Sequence, residues 1–290
     1  MRRIAVLGLG EAGAALASDL AAAAGAGAHV AGYDPAAPLT PEGVVRHDDP
    51  ASAVAGADLV LAVTPASGAA AALDSVVGTL PPGAIYADLS TASPGCKHRL
   101  ASTAAAAGVG FVDVALMAPV PGNGLRTPSL AAGTAAADFA ATMRPLGMPV
   151  EVVGPDAGQA ATRKLLRSVV MKGLAQLLIE AVRAAEAAGL AAETWDQLLE
   201  QLSDVDEALL RRLVSGTPLH ARRRLDEMEA TVELLDELGV DATMSRATTV
   251  RLRQIAADPT LVPEPPSGPQ DPGRVRRSAG PGAPTAGGRR

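Results

Sequence analysis

The chain has 290 residues, enough for two domains with substantial cores. Lys and Arg number 25 against 31 Asp and Glu, a net charge of −6 that supplies no basic field for nucleic acid, and aromatics at 2% leave little surface on which bases could stack. A lone cysteine, Cys96, excludes an intrachain disulfide framework, and His29, His47, His98 and His220 lie too far apart to suggest metal ligands, so no metal is expected.

The N-terminus, Met1-Arg2-Arg3 before an apolar run, imitates a secretory signal, but Glu11 and Asp19 interrupt it and no uninterrupted apolar stretch is long enough to span a bilayer. A cytoplasmic protein without a membrane span is expected. From residue 1 to 154 short apolar runs alternate with Ala-rich helical stretches. The runs are Ile4–Leu7, His29–Tyr33, Leu59–Val63, Ala84–Ala87, Gly110–Val114 and Val150–Val153. Continuous apolar runs separated by helices point to βαβ units and a mostly parallel sheet covered on both faces.

Past Gly154-Pro155 the strands stop. Gln159–Ala188 runs without proline, with Gly173 as its one weak point, and predicts a long helix at the base of an all-α domain over 155–257. Helices are predicted at Glu193–Leu202, Val205–Leu213, His220–Leu238 and Thr243–Ala257, broken at Gly189, Gly216-Thr217-Pro218 and Gly239. Residues 258–290 are Pro- and Gly-rich with five arginines and three acids, and are expected to form a disordered tail because they bury too little to offset ordering entropy.

Chemistry concentrates at the sheet's predicted carboxyl edge. Gly8-Leu9-Gly10-Glu11-Ala12-Gly13 follows the first strand and opens a helix: Gly8 for a tight turn, Gly10 for close approach of a pyrophosphate, Gly13 for helix–strand packing. Asp34 closes the next strand 21 residues beyond Gly13, where a carboxylate accepts from an adenosine ribose. This favours NAD over NADP, with Arg46 as the cation that could reverse the preference by folding back. Thr64-Pro65 and Asp88-Leu89-Ser90-Thr91-Ala92-Ser93-Pro94 place small hydroxyl residues after two further strands; taken singly, each reads better as a helix cap.

With Phe111-Val112-Asp113 leading to Leu130-Ala131-Ala132-Gly133, and Gly158-Gln159-Ala160-Ala161 running into Lys164, these segments resemble the β-hydroxyacid dehydrogenase superfamily over about residues 1–256. That superfamily includes 3-hydroxyisobutyrate and 6-phosphogluconate dehydrogenases. The segment Gly216–Arg224 looks like the C-terminal domain of a phosphogluconate-dehydrogenase-like subgroup. The resemblance implies a Rossmann domain, a helical domain on one long helix, a nicotinamide cofactor, a small-molecule substrate and a homodimer. It makes Lys164 the general acid/base, with Ser168 where many members carry an asparagine; both lie on one helix face at i, i+4. Ser90, Thr91, Met117 and Ala118 fall at the family's substrate positions, and Gly8 to Gly13, Asp34, Thr64, Pro65 and Ser90 at its cofactor positions.

The chain departs from the family at Met117-Ala118-Pro119, which stands where a Ser-Gly-Gly segment usually holds a substrate carboxylate. Pro119 has no N–H to give and Met117 offers only a thioether, so a more apolar pocket is expected, or an acid anchored elsewhere. His220-Ala221-Arg222-Arg223-Arg224 is a candidate for that anchor, although Arg222–Asp226 and Arg223–Glu227 spacing favours a solvated face. The expected reaction moves a hydride between nicotinamide and the CH–OH or C=O carbon of a small hydroxy acid or related alcohol. A C=N reductase and a non-catalytic dinucleotide-binding redox sensor are the alternatives.

Overall fold

The computed structural model describes residues 3–23 and 29–266. The first part alternates strands and helices: β1 (Arg3–Leu7), α1 (Glu11–Ala23), β2 (His29–Tyr33), β3 (Val44–Arg46), α2 (Pro50–Val54), β4 (Leu59–Ala62), α3 (Ala69–Asp74), β5 (Ile85–Asp88), α4 (Pro94–Ala106), β6 (Gly110–Leu116), β7 (Ser129–Ala132), α5 (Ala136–Met143) and β8 (Val150–Gly154). The helices α6 (Gln159–Ala187), α7 (Ala191–Ser203), α8 (Glu207–Glu237) and α9 (Thr243–Ala257) follow. This is an N-terminal, mostly parallel Rossmann sheet succeeded by a largely helical part built on long helices.

The strands form one sheet in the order β3-β2-β1-β4-β5-β6-β7-β8. The chain winds outward from β1 to β3 and returns to β4 on the other side of β1, so the sheet reverses direction at the carboxyl end of β1. Open α/β sheets bind ligands at that switch point. Neighbours are parallel except β6 and β7, which run antiparallel. β7 lies outside the apolar runs expected from sequence, because four small residues, Ser129-Leu130-Ala131-Ala132, carry too little periodicity to mark a strand.

Alternate strand residues face opposite layers. Ile4 and Val6 pack with Leu16 and Leu20 of α1 and with Leu59 and Leu61, while Ala5 and Leu7 pack with Val54, Val60 and Leu73 on the other side. With so few aromatics these aliphatics make up most of the core, and each fully buried Leu or Val contributes about 1.5–3 kcal/mol. Tyr86 and Phe111 stack with ring centroids 6.4 Å apart beneath the second layer.

The chain forms two compact units, Met1–Gly173 and one beginning at Leu174, with the division inside α6 at its only glycine. In the second unit α8 packs along α9. The buried Glu180 carboxylate caps α9, accepting from the Met244 and Ser245 N–H groups at 2.7 and 2.9 Å and from the Ser245 hydroxyl at 2.6 Å. The break that sequence predicts at Gly216-Thr217-Pro218 is met by a kink between two helical stretches of α8, with His220 at a non-helical φ −120° and ψ 15°. Pro218 cannot donate to the preceding turn. The Thr217 hydroxyl donates to the Leu213 carbonyl at 2.6 Å and receives the Arg224 guanidinium at 2.5 Å, ties that span the weak point. Within the segment expected to be a tail, residues 258–266 are described: the Asp258 side chain accepts from Thr260 N–H at 3.0 Å and caps a short turn over Pro259–Leu261. The rest, 267–290, lies outside the described residues.

Candidate active site

The glycine loop fits its three expected roles. Gly8 sits at φ +95°, and a Cβ there would run into the Val63 carbonyl; a Cβ on Gly13 would run into the Gly8 carbonyl. Around Gly10, by contrast, no atom lies within 4 Å of where a Cβ would stand. The open space lies at the N-terminus of α1, whose first-turn N–H groups have no partner within the helix, and Glu11 and Ala12 belong to that turn. Next to Gly8, Thr64 Oγ1 is buried without a hydrogen-bond partner among the described residues, while Pro65 is exposed. An open cradle over Gly10 and a buried hydroxyl lacking a partner beside it are what a dinucleotide would fill.

Asp34 has a second occupation. Its Oδ2 accepts from Leu9 N–H at 2.7 Å and its Oδ1 from Ala36 and Ala37 N–H at 2.7 and 2.9 Å, so it fastens the glycine loop to the end of β2. Arg46, at the end of β3, does fold back, donating to the Asp34 carbonyl at 2.8 Å. Partial burial pushes the Asp34 carboxyl up, but the three backbone donors and the Arg46 charge outweigh it and hold the group below the usual carboxylate range.

A cavity of about 270 Å³ lies against the first half of α6, lined by Met117, Ala118, Pro119, Lys164, Ser168 and Lys172 together with Leu116, Arg167 and Met171. Four expected site residues, Lys164, Ser168, Met117 and Ala118, thus share one pocket. Ser90 and Thr91 do not line it. The Ser90 hydroxyl donates to Asp88 Oδ2 at 2.8 Å, so its proton is committed, and Thr91 is exposed. The Arg167 guanidinium donates to the Met117 carbonyl, pinning the atypical segment to α6. Burial lowers the Lys164 ammonium first, and the charges of Lys97, Lys172 and Arg167 lower it further; Asp113 alone opposes, so the amine titrates below the ordinary lysine range. Arg163, which also flanks Lys164 in sequence, turns away to the Gln159 carbonyl at 2.9 Å.

Lys97 is the residue that sequence reasoning missed. It has no exposed surface, and its Nζ lies 2.8 Å from Asp88 Oδ2 and 3.1 Å from Asp113 Oδ1. A lysine in an Ala-rich helix reads as a surface residue. The available signal was two aspartates, Asp88 and Asp113, each ending or interrupting an apolar strand and requiring a cation between them.

A larger cavity of about 690 Å³ on the β7–β8 side holds less chemistry, since its Arg144 is spent on the Val150 carbonyl at 2.8 and 3.0 Å. The arginines of the proposed anion anchor lie on α8. Arg223 pairs with Glu227 at 2.6 Å as its spacing implied, Arg224 reaches Thr217, and no Arg222–Asp226 ion pair forms among the described residues. Among the described residues no His, Cys, Asp or Glu cluster could hold a metal, and no helix is long and apolar enough to cross a membrane.

Residues 3–146 match the NAD binding domain of 6-phosphogluconate dehydrogenase, and residues 185–255 match a domain of unknown function. An uncharacterized 28.5 kDa protein of Methanothermus fervidus is 32% identical over 193 residues, 64% of this chain and 71% of that protein. A conserved hypothetical protein of Sinorhizobium meliloti is 33% identical, with a TM-score of 0.56 over 87% of this chain and 88% of its own. An imine reductase of Myxococcus stipitatus, solved with NADP+, shares the fold at 20% identity, with a TM-score of 0.72 over 88% of this chain and 94% of its own. Further imine reductases, and a reductive aminase of Aspergillus terreus, share the fold at 19–22% identity.

Proposed function

Because the chain belongs to the Rossmann-fold NAD(P)-binding oxidoreductases related to 6-phosphogluconate dehydrogenase, with a separate C-terminal domain, we propose that it transfers a hydride to or from a small anionic substrate held against Lys164. NAD(P) supplies or takes up the hydride when bound on the glycine loop. One observation carries the substrate class: Lys164, Arg167 and Lys172 line one cavity with Ser168, and among the described residues no carboxylate lines it. An acid group on the substrate would neutralise that surplus, replacing the anchor that the usual Ser-Gly-Gly segment would provide. Met117, Ala118 and Pro119 give the same pocket an apolar wall.

With a hydroxy acid, Lys164 takes the carbinol proton in the oxidising direction and returns it to the carbonyl oxygen in the reducing direction. Its lowered titration suits it to the first role, because a fully protonated lysine cannot accept. Ser168, one turn along α6, can donate to the same oxygen or to the acid group.

A C=N substrate is the second reading, and the structural neighbours support it more directly than they support the first. Lys164 would then protonate the nitrogen. Arg167 and Lys172 repel a simple iminium ion, so this pocket would take an imine that also carries a carboxylate. The discriminating experiment is a panel of hydroxy acids, oxo acids, imino acids and neutral cyclic imines with NADH and NADPH, followed by absorbance of the reduced nicotinamide. Turnover of acids alone supports the pocket's proposed selectivity; turnover confined to neutral imines defeats it.

Three finer assignments complete the proposal. Cofactor binding belongs to 1–154 and dimerisation to 155–257, whose Lys164 and Ser168 meet the substrate together with Met117 and Ala118, and NAD is preferred through Asp34. A homodimer is inferred from Leu166, Val169 and Val170, which form an i, i+3, i+4 stripe on α6 exposed at 65, 72 and 65%.

A further inference from the structure

Asp88 and Asp113 are register partners on the adjacent parallel strands β5 and β6. Both are buried, and two carboxylates in such positions repel each other and have lost their hydration. Lys97 reaches between them from α4, its Nζ also donating to the Asp88 carbonyl at 2.8 Å. Asp113 Oδ1 lies 3.1 Å from Lys97 Nζ in an ion pair and has no hydrogen-bond partner among the described residues, while Oδ2 accepts from Gly158 N–H at 3.0 Å and Ala161 N–H at 2.9 Å, groups of the opening turn of α6. Gly158 stands at φ +91°, and a Cβ there would press on Pro94 at 3.1 Å, so the start of α6 abuts the start of the helix that carries Lys97.

We propose that Lys97 is a positioning residue for the pocket: fixed between two carboxylates, it aims Asp113 at the first turn of α6 and so sets where Lys164, one turn beyond Ala161, stands. Lys97 does not line the cavity. It acts through Asp113. The charged groups facing Lys164 are Lys97 from α4, Asp113 from β6, and Arg167 and Lys172 from α6 itself. Lys97 therefore neutralises the one anion that would hold Lys164 in its charged form.

The proposal rests on Lys164 being the acid–base group, but its test needs no turnover. Competitive labelling with acetic anhydride over a pH series, with the Lys164 peptide followed by mass spectrometry, reads the titration of that amine in the intact protein. Lys97→Met removes a cation and leaves Asp113 uncompensated, so the Lys164 midpoint should rise by about one unit or more. Asp113→Asn removes the anion while its amide oxygen can still accept from Gly158 and Ala161, so the midpoint should fall. General loosening of the fold does not move one amine in opposite directions. Folded variants whose midpoints stay put or move together overturn the proposal. If Lys97→Met does not fold, Asp113→Asn decides alone: a fall supports the proposal and an unmoved or raised midpoint overturns it. A separate result, full turnover by Lys164→Ala, would defeat the acid–base reading and leave the labelling outcome intact.

Discussion

Replacing Lys164 by alanine tests the proposed chemistry most directly. The half-buried amine shares its cavity with Ser168, Arg167 and Lys172, and burial holds its ammonium below the ordinary lysine range, so in the proposed mechanism its loss removes the acid–base contribution. That contribution is typically 10²- to 10⁴-fold in kcat, or about 2.7–5.5 kcal/mol of transition-state stabilisation. NADH affinity should change little, because the glycine loop is built by β1, α1 and the Asp34 bonds rather than by α6. Steady-state rates and calorimetric NADH titration separate the two quantities. The pH profile adds a sign. The neutral amine is the base, so wild-type kcat/KM for oxidation should rise with pH through a midpoint below the ordinary lysine range, and the variant should lose that limb. Stability responds the other way: a lysine whose folded titration is lowered penalises the fold at neutral pH, and the penalty is relieved as pH rises past the folded midpoint toward the unfolded one. Lys164→Met should therefore melt at a slightly higher temperature than wild type at pH 7. Near-normal kcat with a good substrate and an unchanged pH limb would refute the mechanism and favour the C=N reading.

Gly13→Ala should cost about 1–3 kcal/mol in urea unfolding and abolish NADH binding, because the new methyl meets the Gly8 carbonyl inside the turn; a stable variant that binds normally would contradict the packing role. Wild type should show higher kcat/KM with NADH than with NADPH, and Arg46→Ala should widen that preference by about 10- to 100-fold, the worth of one charge-assisted hydrogen bond to a 2′-phosphate. An unmoved ratio would place Arg46 away from that phosphate. Leu166→Glu with Val170→Glu should turn a dimer into monomers in light scattering, and an unchanged mass would remove the α6 stripe from the interface.

Much of this architecture is legible in sequence because the physics that fixes it is local. The strand β4 reads Leu-Val-Leu-Ala and is buried at every position, which only a sheet covered on both faces allows. The glycine loop is legible in part for the same reason, since a Cβ on Gly13 would meet the Gly8 carbonyl five residues back, whereas the atom that a Cβ on Gly8 would meet is the Val63 carbonyl of a distant segment. What failed to show depends on atoms distant in the chain. Gly216-Thr217-Pro218 predicts the interruption that α8 shows as a kink at His220, but not the Arg224 guanidinium, seven residues beyond Thr217, that bonds the Thr217 hydroxyl across it. Helical spacing puts Arg167, and not Arg163, on the face beside Lys164, but it does not show that the Met117 carbonyl, fifty residues away, holds Arg167 at the cavity while a backbone carbonyl of its own helix claims Arg163.

The same distinction explains why the site's family was easier to read than its substrate. Lys164 and Ser168 are placed by helical periodicity, which a single sequence displays. The charge that surrounds them is assembled from α4, β6 and α6, and its sign depends on which carboxylates are already paired. Asp88 and Asp113 count as two negative charges in composition, but Lys97 and the opening N–H groups of α6 consume them within the core, and neither lines the cavity. A chain whose net charge is −6 therefore presents a cationic pocket. The proposed selectivity for an anionic substrate rests on that local pairing rather than on overall charge, which is why acid-bearing and neutral substrates divide the competing readings more sharply than any further motif.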